Sequence, residues 1–194
     1  MSPRRRRRAL LAWSVGAALI LSGCSGLGQA PPSAPVCRDR NSVLILLAQA
    51  VPSASFIPCI TEFPVGWTFG GEAIRSGQAR FWLDSDRAGS RAVTVTLSRS
   101  CDTSRTMRIP VEPDEAGTAR FEQPKALRPH LFWNRYYTFK GGCVTYRFAF
   151  RPGAGSTEIL EATSALTFFS RARGVTLLRA EGLELCGAGV SCPG

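Results

Sequence analysis

The chain has 194 residues, with 24 Lys and Arg against 14 Asp and Glu, seven cysteines and a single histidine. Five of the cations are consecutive, Arg4 to Arg8, and without them the surplus falls from +10 to 19 against 14, or +5. That surplus is too small and too scattered along the chain to point to nucleic acid, which asks for a clustered basic face with interleaved aromatics, and one histidine, His130, excludes a histidine metal cluster.

The arginine run is followed by residues 9–21, which carry no charge, and this is the layout of a secretory signal peptide. The apolar run is shorter than the roughly 20 residues that a helix needs to cross a bilayer. It ends on Leu21, Ser22, Gly23 and Cys24, which resembles the lipobox of bacterial lipoproteins: an aliphatic residue and two small ones before a cysteine. The resemblance implies that the Cys24 thiol takes a diacylglyceryl group and that the mature chain begins at Cys24. Two acyl chains hold a protein on a membrane where one does so only marginally. The expected organisation is a signal peptide over 1–23, a lipidated cysteine and tether over 24–36, and one extracytoplasmic domain over 37–194. The tether is rich in Gly, Ser, Ala and Pro, and its twelve residues reach at most about 40 Å. In composition the remainder resembles uncharacterised exported lipoproteins of high-GC Gram-positive bacteria.

Six further cysteines remain: Cys37, Cys59, Cys101, Cys143, Cys186 and Cys192. In an oxidising compartment an even set reads as disulfides. The order along the chain favours Cys37 with Cys59, Cys101 with Cys143 and Cys186 with Cys192, among the 15 connectivities that six cysteines allow. No Cys-x-x-Cys spacing supports metal or redox chemistry.

In chain order, Asn41 or Ser42 caps a short helix over 43–51 that Pro52 stops. Pro52, Pro58 and Pro64 then predict an irregular stretch around Cys59. From 66 to 99 the pattern has period two: a strand over 67–74, then Ala79, Phe81 and Leu83, then Val93, Val95 and Leu97, with a hairpin loop at 84–89. Short strands are expected at 107–111 and 119–122, with a turn between them. Two stronger ones, 136–139 and 143–150, flank Gly141 and Gly142. Residues 157–173 read as one helix, with Glu158 and Glu161 near its start, Arg171 and Arg173 at its end and Gly174 just beyond. A last strand is expected over 175–178. The sum is α+β: a disulfide-braced antiparallel sheet of five to seven strands with one main helix packed on it. An immunoglobulin-like sandwich is the alternative.

Chemical motifs are sparse. No nucleophile elbow, phosphate loop or dinucleotide fingerprint occurs. His130, flanked by Pro129, reads as a surface or packing residue rather than a general base. Asp84 and Asp86 form the best acidic pair, for a cation or for paired carboxylates, though a loop that uses Asp to satisfy its own backbone explains them as well. Trp133, Arg135, Tyr136 and Tyr137 crowd together, and aromatic and Arg groups of this kind make binding surfaces. The functional expectation is therefore a membrane-held envelope lipoprotein whose non-catalytic domain binds a protein, glycan or lipid partner, with no cofactor and no metal. A carboxylate-dependent extracytoplasmic hydrolase and a carrier of an apolar ligand are the alternatives.

Overall fold

The computed structural model describes residues 34–38, 41–126 and 130–185. Cys24, Cys186 and Cys192, with the signal, lipidation and tail readings that rest on them, lie outside the described residues.

Helix α1 (Ser42–Ala50) starts where the Asn41 side chain accepts from the Leu44 N–H at 3.0 Å. Asn41 also donates to the Ala34 carbonyl at 2.7 Å, which ties the entering chain to the helix. The helix is followed by β1 (Phe56–Ile60), β2 (Trp67–Arg75), β3 (Gln78–Ser85) and β4 (Gly89–Ser98). Next come β5 (Met107–Ile109), a 3-10 turn (Pro113–Glu115), β6 (Ala119–Ala126), β7 (Leu131–Phe139) and β8 (Gly142–Phe150). The last elements are α2 (Ser156–Ser164), β9 (Leu166–Ser170) and α3 (Arg171–Ala180).

Seven strands form one antiparallel sheet in the order β2-β3-β4-β8-β7-β6-β5, and β1 pairs with β9 as a separate ribbon. The architecture is α+β and braced by Cys37–Cys59 and Cys101–Cys143. Two meanders, β2 to β4 and β5 to β8, meet where β4 pairs with β8. The chain must therefore cross from the centre of the sheet to its far edge between β4 and β5.

Period two decides which face is covered. Ala79, Phe81 and Leu83 on β3, Val93, Val95 and Leu97 on β4 and Val144, Tyr146 and Phe148 on β8 are all buried and share one side. On this side sits the β1–β9 ribbon, where the Phe168 ring lies 4.9 Å from Tyr137 and 6.4 Å from Tyr146. The alternating residues point the other way, and among the described residues no helix or strand packs on them.

Three expectations are corrected. The stretch around Cys59 is the regular strand β1, with Pro58 inside it. A two-stranded ribbon tolerates this, because a proline lacking its N–H fits where only one side of a strand is paired. The single helix over 157–173 is broken. Thr163 donates to the carbonyls of Ile159 and Leu160, and Ser164 to that of Glu161, at the point where the helix ends. Such back-bonding competes with helix continuation. Beyond it, Thr167, Phe168 and Phe169 have β-branched or aromatic side chains that suit a strand, and with Leu166 they pair with β1. The last expected strand, 175–178, lies inside helix α3, and Gly174 is buried in that helix rather than beyond its end. What pulled Arg171 from a helix end into the interior is α1. The Arg171 guanidinium donates to the carbonyls of Ala48 and Val51, at the end of α1, and of Ala54 in the turn beyond it, and the first two belong to the carbonyls that a helix end leaves without intrahelical partners.

Candidate functional site

Strand β7 begins at Leu131, five residues earlier than expected, and its alternation divides the aromatic cluster between the two sides of the sheet. Trp133, Arg135 and Tyr137 face the covered side, whereas Phe132, Asn134 and Tyr136 face the open one.

On the covered side, β6 and β7 pair Arg120 with Tyr137 and Glu122 with Arg135. The result is a half-buried ladder of alternating charge. Arg135 Nε donates to Glu122 Oε1 at 2.8 Å, Arg120 lies 3.3 Å from Glu122 and 3.4 Å from Glu115, and the Tyr137 hydroxyl donates to Glu115 Oε1 at 2.6 Å. Burial pushes the Tyr137 hydroxyl far above its ordinary range, so it stays a proton donor. Burial alone would lower the Arg135 pKa, but the pull of Tyr137 and Glu122 outweighs it and holds the guanidinium above its ordinary value. A cleft of 570 Å³ separates this ladder from Leu160, Thr163 and Phe168 on α2 and β9. Within the ladder Glu115, Arg120, Glu122 and Arg135 partner one another, which makes the ladder a brace more than a receptor for a charged ligand.

The open side is different in kind. Cross-strand register strings Arg80, Thr96, Thr145, Tyr136, Phe121 and Arg108 into one continuous row across six strands. A second row beside it runs Trp82, Thr94, Arg147, Asn134 and Gln123. Arg147 is exposed at the centre, Phe132 is 37% exposed, and the Arg91 guanidinium lies 4.7 Å over the Trp82 ring. The Asn134 amide donates to the Tyr136 hydroxyl at 2.9 Å, which fixes the ring on the sheet.

The β4–β5 crossover runs over this side. It is pinned at Cys101 to Cys143 of β8, with Cys101 Sγ 3.2 Å from the Thr145 hydroxyl, and Gln123 of β6 donates to the Arg105 carbonyl at 3.1 Å. Within the crossover, Asp102 accepts from the Ser104 N–H at 3.0 Å, and hydrogen bonding from Ser104 lowers its pKa. Between crossover and sheet lies a polar hollow of 330 Å³, with Thr96, Asp102, Arg105, Lys125, Tyr136 and Thr145 among its lining.

Asp84 and Asp86 sit at the β3–β4 hairpin. Asp84 Oδ1 accepts from the Arg91 N–H at 2.6 Å, and the Asp86 N–H donates to the Gly66 carbonyl at 3.0 Å. Their carboxylates lie over Gly70 and Gly66, in space that side chains on β2 and its leading turn would fill. Among the described residues no group of three or more His, Cys, Asp and Glu is placed to hold a metal ion. His130 is exposed at the start of β7, 6.4 Å ring to ring from Phe132.

The open-side residues Arg80, Thr96, Thr145 and Arg147 were not singled out as a site by the sequence. The signal for them was present, because each alternates with a buried residue of β3, β4 or β8. No family model matches the chain, and neither a curated protein nor a solved structure matches it.

Proposed function

We propose that the protein is a membrane-anchored envelope lipoprotein, held by lipid on Cys24 at the extracytoplasmic face, whose non-catalytic domain presents the open side of its sheet to a partner. The observation that carries the reading is the open face itself. It is a surface of hydroxyl, amide, guanidinium and ring groups that no helix or strand among the described residues covers, crossed at one place by the β4–β5 connection that a disulfide pins to the sheet. The two described disulfides support an oxidising compartment. Among the described residues no helix is long and apolar enough to cross a membrane, so the anchor rests on the sequence Leu21, Ser22, Gly23 and Cys24.

The apolar-carrier reading has one feature in its favour, a groove between α1 and α3 walled by Leu44, Ile45, Leu177 and Leu178. Its 210 Å³ is below the roughly 300 Å³ at which small-molecule sites begin. For the hydrolase reading, Asp84→Asn with Asp86→Asn abolishes activity if these carboxylates carry it and leaves partner binding intact. Detergent-phase partition tests the anchor: the wild-type protein enters the detergent phase, and the Cys24→Ser protein stays in the aqueous phase. Partition of both into the aqueous phase contradicts the anchor.

A further inference from the structure

We infer that the open face of the seven-stranded sheet binds an anionic glycan of the cell envelope, a sugar polymer bearing carboxylate or phosphate groups. The inference rests on the extracytoplasmic reading for the source of the polymer and on charge, chemistry and shape for its class. The cations that look scattered along the sequence are gathered here by register. Arg80 and Arg108 end the first row, Arg147 centres the second, and Arg105 and Lys125 line the hollow beside them. Among the described residues, the carboxylates on this side are Asp84 and Asp102, and each already accepts a backbone N–H. The face is therefore positive in a molecule whose net surplus, outside the arginine run, is only +5.

Between the cations stand Thr94 and Thr96, short donors and acceptors matched to sugar hydroxyls. Tyr136, which lines the hollow, offers a ring to the apolar face of a sugar. Seven strands at about 4.8 Å spacing make the sheet about 30 Å wide, and the part beside the crossover, around Arg80, Thr94 and Arg147, suits a chain laid across the strands more than a compact ligand. Anionic lipid headgroups share the charge. A bilayer, however, rewards apolar side chains that insert, and the most exposed large apolar groups, Val65 and Leu160, belong to the loop before β2 and to α2 rather than to this face.

The test uses the full chain carrying Cys24→Ser, exported with its disulfides intact, so that binding is read independently of the lipid anchor. Polygalacturonate and phosphomannan, a phosphate-bearing mannose polymer, are titrated against it, with neutral dextran, single-stranded DNA and phosphatidylglycerol vesicles as comparisons. The wild-type face binds one or both acidic glycans, more weakly as salt rises, and leaves dextran unbound. Arg80→Glu with Arg147→Glu lowers that affinity by about 30-fold, whereas Arg179→Glu with Lys140→Glu, an equal charge change elsewhere on the surface, lowers it by about twofold. An unchanged melting temperature in the face variant shows that the loss is not unfolding. Equal losses in both variants, absence of binding to either acidic glycan, or tighter binding to DNA or to the vesicles overturns the inference. The anchor is read separately by detergent partition of the wild-type protein, so either proposal fails without the other.

Discussion

Arg171 shows how much one side chain decides. It is 2% exposed at the start of α3, and its guanidinium closes the carbonyls of Ala48 and Val51 at the end of α1 and of Ala54 in the turn beyond it. Hydrogen bonds to a charged group contribute about 1.5 to 3 kcal/mol each, and buried carbonyls left without donors add a further penalty. Arg171→Leu should therefore lower the unfolding free energy by about 3 kcal/mol or more, measured by urea denaturation. Glu158 offers a pH test. Its Oε2 accepts from the Gly155 N–H at 2.8 Å, and this bond holds its pKa below the ordinary 4.5. A carboxylate with a depressed folded pKa stabilises fully above its ordinary value and loses that contribution as pH falls through the lowered one. The stability gap between wild type and Glu158→Gln should be constant near neutrality and close in acid; a gap that persists at low pH contradicts this cause.

Among the elements, the strands with strict alternation were legible and the segments governed by tertiary partners were not. β3, β4 and β8 follow from buried residues two apart. The run 157–173 carries acidic residues early and basic ones late, as a helix should, yet the back-bonding of Thr163 and Ser164 and the pairing with β1 divide it. No local pattern announces a partner more than a hundred residues away. β7 was read five residues short, so its alternation was never applied to Phe132 through Arg135, and the aromatic cluster passed for one surface. The crossover between β4 and β5 is the element that runs over the open face. Its disulfide closes a loop of 42 residues, and a loop of that length contributes about 4 kcal/mol in the chain-entropy account. Cys101→Ser with Cys143→Ser should lower the unfolding free energy by about that amount. Amide hydrogen exchange should speed up more at residues 99–106 than at the sheet amides, which follow the loss of global stability. Equal acceleration at both would mean that the bridge braces the whole fold and not the crossover in particular.

For the whole molecule, the sheet has one apolar and covered side and one polar and open side, and this asymmetry is what the proposed binding role rests on. The α+β class and a main sheet of seven strands, within the expected five to seven, could be read from the period-two runs, while the β1–β9 ribbon and the gathering of Arg80, Arg108 and Arg147 could not, since they depend on which strands become neighbours. The proposed anchor rests on Cys24, and the most direct measurement is the intact mass of the protein purified from membranes of its own host, before and after reduction. The account predicts the mass of a chain beginning at Cys24 plus acyl chains, with a gain of six hydrogens on reduction, four of them from Cys37–Cys59 and Cys101–Cys143. An unlipidated mass, or free thiols before reduction, would contradict it.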